Sequence, residues 1–311
     1  MGACPCYCAG DEAAEVTYVG GASARPVLGY FVLTCALSWG LLAVFLGAHG
    51  RWGTPAAMPV AVLYMFGPAV AALIFQRRAE RPVAELGLSL KPQPSWLVAW
   101  ILPVVVAAAV FGLGLLLPGV RYDGTMAGFY ATLRQSLPAE RVAELQAAVA
   151  QVSVHPALLA TAEALVVGPT VNALVALGEE LGWRGYLYEA LKGVGFWRAS
   201  ALVGVMWGMW HAPIILLGYN YPQHPQLGVS FMILFCLLWA PLFAWVRQRA
   251  GSVGASAVLH GTLNAVAGVP MMVTQGGNDL LVGVTGAVGL AVLAVANLVL
   301  FLVFRSGRDR G

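Results

Sequence analysis

The chain has 311 residues, of which 59% are apolar and only 10% charged, with a formal net charge of +3 and a mean hydropathy of +0.78. A soluble domain carries about 25% charged residues, so composition excludes an ordinary water-soluble protein and points to lipid as the solvent. No basic patch with interleaved aromatic residues is present, which leaves no reason to invoke nucleic acid as a partner.

Residues 1–25 are polar and rich in Gly and Ala, and they read as a disordered cytoplasmic tail. A positive stretch followed by an apolar core is missing there, so no typical signal peptide is expected. Cys4, Cys6 and Cys8 cluster in this tail and read as incidental cysteines ahead of acylation or metal binding. A membrane span needs roughly 20 mostly apolar residues. Eight segments qualify: 27–48, 55–75, 95–118, 157–191, 196–218, 227–246, 252–273 and 280–304. The expected fold is therefore all-α, a polytopic transmembrane helical bundle of about eight spans over residues 26–305, with 306–311 as a short cytoplasmic tail. The fourth segment is too long for one plain span, and Pro169 is expected to kink it or to mark a flatter entry segment. Residues 119–155 form one sizeable outside segment, in which 138–151 read as an amphipathic surface helix. Cys35 and Cys236 fall within spans and read as packing residues.

Cytoplasmic loops are enriched in Lys and Arg. The linker 76–94 carries Arg77, Arg78, Arg81 and Lys91, which places it inside, and alternation then places both termini inside. Inside segments hold twelve basic residues: those four, Arg25, Lys192, Arg198, Arg247, Arg249, Arg305, Arg308 and Arg310. Outside segments hold four, Arg51, Arg121, Arg134 and Arg141, and Arg184 lies within a span. An odd number of spans would scramble that separation. The expected location is the cell membrane, multi-pass, with the lipid bilayer as constant partner.

Ionisable groups inside a bilayer are expensive and by default functional. Segment four ends with Gly178-Glu179-Glu180-Leu181-Gly182-Trp183-Arg184. Glu180 and Arg184 share a helix face by their spacing of four and can pair. Glu179 points about 100° away and is free to face something else. Segment five holds Trp207-Gly208-Met209-Trp210-His211, in which the Trp pair reads as packing. In segment seven, His260 and Asn264 share a face, a pairing that interhelical hydrogen bonding alone would explain. Glu179 is 13 residues from Lys192, His211 is 13 from Arg198, and His260 is 11 from Arg249. These are similar depths, roughly 17–20 Å from the flanking cations. Segments four, five and seven can thus bring two carboxylates, two imidazoles and an amide into one buried cavity.

A carboxylate held out of water is a better proton acceptor near neutral pH. Beside a histidine it can hold and deprotonate a water, while His and Asn side chains donate hydrogen bonds to an oxyanion. These parts suffice for amide hydrolysis without a covalent intermediate. Zinc is the competing arrangement, since His211, His260 and a Glu can supply three ligands and leave an open position. A His-Glu-x-x-His helix is absent, and the residues leave the choice between metal-bound and Glu/His-held water open.

Glu179-Glu180-x-x-x-Arg184, then an aromatic residue four before His211, then His260-x-x-x-Asn264, resembles the CPBP intramembrane protease family, which includes the CAAX prenyl endopeptidases and the bacterial Abi-type proteins. The motif-bearing region runs from 157 to 275. The resemblance implies an intramembrane endopeptidase that cleaves a peptide or membrane-protein substrate, and the orientation read from the basic residues favours access near the cytoplasmic side of the membrane. The resemblance also implies Glu179 as water-activating base with His211 as its partner, Glu180 paired with Arg184, and His260 with Asn264 as oxyanion-binding pair. Glu179, His211 and His260 would be the ligands of a divalent metal such as zinc, which the resemblance leaves open. One departure is Trp207, where the family usually has Phe. The alternatives are a non-catalytic scaffold or bacteriocin-immunity factor of the same fold, and a proton-coupled carrier. A carrier predicts paired broken helices in two related halves, whereas the polar residues here cluster in the second half.

Overall fold

The computed structural model describes residues 18–19, 22–91 and 93–308. Among them, helices account for nearly all regular structure, and the extended pairs are two-residue strands. Helices α1 (Ala24–Gly47), α2 (Ala57–Arg78) and α3 (Pro94–Gly114) correspond to the first three expected spans. Proline sits in the first turn of α3, where the missing N–H would have no intrahelical partner anyway. These helices are apolar around most of their circumference, and residues such as Val44, Leu63, Leu97, Leu174 and Leu298 face outward. That pattern is stable only when the exterior is itself apolar.

Among the described residues, five helical stretches are long and apolar enough to cross a membrane: 25–47, 57–78, 94–114, 156–194 and 225–250. The fifth and seventh expected spans are instead broken helices. The fifth is α9 (Phe196–Trp210) followed by α10 (Ala212–Leu216), and the seventh is α12 (Val253–Val266) followed by α13 (Val269–Met272). Pro213 and Pro270 stand in the first turn of the second piece in each case, where proline removes a backbone donor and interrupts the preceding helix. The sixth span is α11 (Pro225–Ala250), and the eighth is α14 (Ala287–Arg308), whose apolar part covers 287–303.

The long fourth segment changes pitch twice. It consists of α6 (Pro156–Val167), a π turn over Gly168–Asn172, α7 (Ala173–Glu180), a second π turn over Leu181–Leu187 and α8 (Tyr188–Leu191). Pro169 lies in the first π turn, as its missing donor requires. The amphipathic outside segment is two helices, α4 (Ala127–Ser136) and α5 (Ala139–Ala150). Asp123 accepts hydrogen bonds from the backbone N–H groups of Ala127 and Gly128, and from the hydroxyl and N–H of Thr125. The Thr125 hydroxyl first, and then the backbone donors, hold its carboxyl below the usual aspartate range.

Of the expected N-terminal tail, β1 (Tyr18–Val19) and β2 (Ala22–Ser23) pair antiparallel and α1 begins at Ala24. Cys4, Cys6 and Cys8 lie outside the described residues. At the other terminus α14 continues to Arg308, into the expected tail 306–311.

Cross-contacts define two ends of the bundle. At one, the Val253 N–H donates to the Gly87 carbonyl, Ser252 and Ser89 hydrogen-bond each other, and Arg247 reaches Glu189. At the other, β3 (Arg121–Tyr122) pairs with β4 (Thr274–Gln275), and Trp52 packs on Tyr219. Here too Asp279 accepts from the backbone N–H groups of Gln223 and His224. The first end carries the basic loops, and the second joins the loops that alternate with them.

Candidate active site

Two glycines bracket the carboxylate pair. A side chain at Gly178 would run into the backbone of Met65 and Phe66, and one at Gly182 into Pro68 and Tyr30. Small residues of this kind let membrane helices approach backbone to backbone. The close approach of α7 to α2 buries both acids, with Glu179 2% and Glu180 0% exposed. Gly261 does the same for α12, which presses on the first π turn at Gly168 and Asn172 and on the start of α7 at Ala173. Asn172 donates to the Gly261 carbonyl across that contact, so its amide serves helix packing.

Glu180 and Arg184 pair as their spacing predicts, with Nη1 to Oε1 at 3.0 Å and both side chains buried. The guanidinium is stacked between two rings, 4.4 Å from the Trp207 centroid and 4.1 Å from that of Phe243. Such stacking suits the planar, weakly hydrated guanidinium and not an ammonium. Glu180 has a second role that the spacing did not reveal: His260 Nδ1 donates to the same Oε1 at 2.8 Å. This ion pair therefore also fixes the ring of α12.

The neighbouring acid faces elsewhere. Glu179 Oε2 accepts from the Trp207 indole N–H at 2.6 Å, and its Oε1 lies 4.0 Å from His260 Nε2. Trp207 is thus a site residue that the sequence reading placed in the packing. The available signal was an indole at the position where the resembled family has Phe, since an indole adds a donor. His211 sits at the break between α9 and α10. Its own N–H bonds the Gly208 carbonyl, three residues back, which leaves the Trp207 carbonyl open. His211 Nδ1 donates to that carbonyl at 2.8 Å. In the neutral ring this bond leaves Nε2 as the lone-pair nitrogen. The break itself is held by Tyr64 and Trp39, which both donate to the Trp210 carbonyl.

Trp207, His211, Cys236, His260 and Asn264 line one cavity of about 320 Å³. Asn264 is exposed, one turn beyond the buried His260. Glu179 and Glu180 stand behind the lining, and Glu179 meets the cavity through Trp207 and His260. Cys236, expected to be a packing residue, is part of the wall. From these residues the cavity runs outward past Leu263, Ala267 and Met271 to Tyr219, Asn220 and Asp279. At this rim Asp279 receives His224 Nδ1 at 2.6 Å. The rim therefore lies at the end opposite the basic loops. Counting residues from the flanking cations gave the depth of the motifs and not which side of them is walled off.

Among the described residues, no three His, Cys, Asp or Glu side chains gather closely enough to hold a metal ion. Glu179, His211 and His260 are therefore not gathered as a ligand set.

Helical breaks thus surround a buried Glu-Glu-Arg-His cluster within an apolar helical bundle. Comparison with known proteins shows similarity over part of this region. Residues 161–266, about a third of the chain, match the family described as type II CAAX prenyl endopeptidase Rce1-like. A CAAX prenyl protease 2 of Methanococcus maripaludis is 31% identical over 98 residues. The match covers 29% of this chain and 36% of that protein. The matched segment begins in α6 and ends in α12, and so contains all six of the predicted site residues.

Proposed function

We propose that the chain is an intramembrane endopeptidase that hydrolyses a peptide bond with a water held between Glu179 and the two histidines. The observation that carries this reading is the 4.0 Å separation of Glu179 Oε1 from His260 Nε2 beside an accessible cavity. That gap is too long for a direct hydrogen bond, yet a water bonded at about 2.8 Å to each atom spans it. The Rce1-like match over the same residues supports the reaction class.

Glu179 takes a proton from the water as its oxygen attacks the substrate carbonyl carbon. The carbonyl becomes an oxyanion, and the C–N bond then breaks as Glu179 returns the proton to the departing amine. Trp207 fixes one oxygen of Glu179 through its indole, which leaves Oε1 for the water. His211, with Nδ1 engaged by the Trp207 carbonyl, presents Nε2 as a further acceptor for that water. As substrate enters, the His260 Nε2–H passes from the water to the carbonyl oxygen, so that Asn264 and His260 face the oxyanion while Glu179 and His211 hold the water. Donation by His260 from Nε2 uses the doubly protonated ring, because Nδ1 already donates to Glu180. Glu180 and Arg184 hold that ring and the helix turn in place and do not touch substrate. Glu179, His211, His260 and Asn264 are accordingly the catalytic residues, and Glu180, Arg184 and Trp207 the positioning ones.

The test is purified full-length chain in liposomes, incubated with a peptide library, with products identified by mass spectrometry. Cleavage by the wild type that disappears with Glu179→Gln supports the reading. Equal product patterns from both proteins would sink it and favour a non-catalytic scaffold. Retained cleavage in a chelator is expected for a Glu/His-held water, and its loss would restore the metal alternative.

A further inference from the structure

We propose that this cavity is entered from the extracytoplasmic face of the membrane, so that its substrate is a peptide segment presented from that side. The substrate's class rests on the peptidase reading above, whereas the side of entry stands on geometry and charge alone.

The cavity has one walled end and one open end. Toward the basic loops it stops at His260 and Trp207, and behind these stand Glu180, Arg184 and Phe243, all buried. The Arg184 guanidinium fills the space between the Trp207 and Phe243 rings. In the other direction the lining continues through α12 beyond Asn264 and ends at the loops carrying Tyr219, Asn220, Asp279 and Thr285. Those loops are fastened to each other, since Tyr221 donates to the Thr285 carbonyl and Asp279 accepts from Gln223 and His224. The rim is thus a built structure on one defined end of the bundle.

That end is the one poor in positive charge. The basic end gathers Arg77, Arg78, Arg81, Lys91, Lys192, Arg198, Arg247 and Arg249, and the terminal segments add Arg25, Arg305, Arg308 and Arg310. The rim end has Arg51, Arg121, Arg134 and Arg141. Short cytoplasmic loops carry the excess of Lys and Arg, and twelve against four orients the basic end inward. The open rim then faces outward. A volume of about 320 Å³ is at the small end of ligand cavities, roughly 300–1,000 Å³, and admits an extended segment rather than a folded domain. Below the rim the walls are apolar, with Met232, Phe235 and Leu263, and Val282 and Val284 add apolar surface from the rim loop itself. The geometry therefore suits an extended, apolar juxtamembrane peptide that has already crossed the bilayer.

The experiment reads accessibility and not turnover. The chain has five cysteines; with all five replaced, single cysteines are introduced as Asn220→Cys at the rim, Ala267→Cys inside the cavity and Gln93→Cys at the basic end. Tyr219→Cys provides a second rim position in case Asn220→Cys does not accumulate. Each protein is treated in intact cells with a small membrane-impermeant thiol reagent, and again after permeabilisation. The expected result is labelling of the rim and cavity positions in intact cells, with Gln93→Cys labelled only after permeabilisation. The reverse pattern would overturn the proposal, and so would labelling of both ends in intact, sealed cells or a cavity position that reacts only from the inside. Failure here leaves the hydrolysis reading intact, because a cavity open to the cytoplasm could still cleave. Inactive wild-type protein in liposomes would leave the labelling pattern intact.

Discussion

The floor and the rim of the cavity contain the same chemical pair in different surroundings. His260 Nδ1 meets Glu180 at 2.8 Å with side chains 5% and 0% exposed, while His224 Nδ1 meets Asp279 at 2.6 Å with side chains 36% and 10% exposed. At the floor, burial shields the pair from bulk solvent, and Arg184 completes the charge balance. At the rim, water can replace either group, and Asp279 is also held by two backbone N–H donors. Burial and not pairing distinguishes them: the floor pair fixes the His260 ring, and the rim pair fastens two loops at the cavity mouth.

Substitutions can break this contrast, beginning with the largest expected effect. Glu179→Gln keeps the shape of the floor and removes its base, so peptide cleavage in liposomes should fall about 10²- to 10⁴-fold with the folded protein still recovered. Glu180→Ala leaves Arg184 and His260 buried without their carboxylate. Breaking such a pair costs about 3–5 kcal/mol, to be read as a lower unfolding midpoint in detergent together with lost activity. If this variant were as stable as the wild type, the buried pair would not hold the floor. Trp207→Phe preserves the ring but removes the donor to Glu179. A hydrogen bond to a charged group contributes about 1.5–3 kcal/mol, so cleavage should drop on the order of 10-fold or more, and unchanged rates would return Trp207 to a packing role.

At the rim the same kind of change should matter less. Asp279→Ala removes a partly exposed pair for which about 0–1 kcal/mol is typical, and should raise KM more than it lowers kcat. The smallest effect concerns Asp123 at the start of α4. Because hydrogen bonds hold its carboxyl below the usual aspartate range, its contribution is complete above that range and is lost as pH falls through the folded value. Hydrogen exchange in α4 should therefore rise at acid pH in the wild type, with less change in Asp123→Asn.

Much of the site was legible because helical periodicity is local. A spacing of four placed Arg184 on Glu180, and the 100° offset separated Glu179 from them. Contacts between helices were not legible. Nothing in spacing tells that His260 turns its Nδ1 to Glu180, 80 residues away, or that the Trp207 indole points at a carboxylate 28 residues away. His224 and Asp279 are 55 residues apart and showed no pattern at all. The spans followed hydropathy where helices are uninterrupted, as in α2 and α11. They departed from it at Pro213 and Pro270, where the chain stays apolar but the backbone breaks. Those breaks are where the cavity forms, so the feature that made the count of spans least legible is the one that builds the site.

The measurement that tests the central claim most directly is a comparison of new protein N-termini in cells expressing the wild type or Glu179→Gln at matched levels. Hydrolysis by a Glu179-activated water predicts termini that appear only with the wild type and that lie in membrane or exported proteins. Identical profiles, with both proteins folded and equally able to rescue a deletion phenotype, would contradict it.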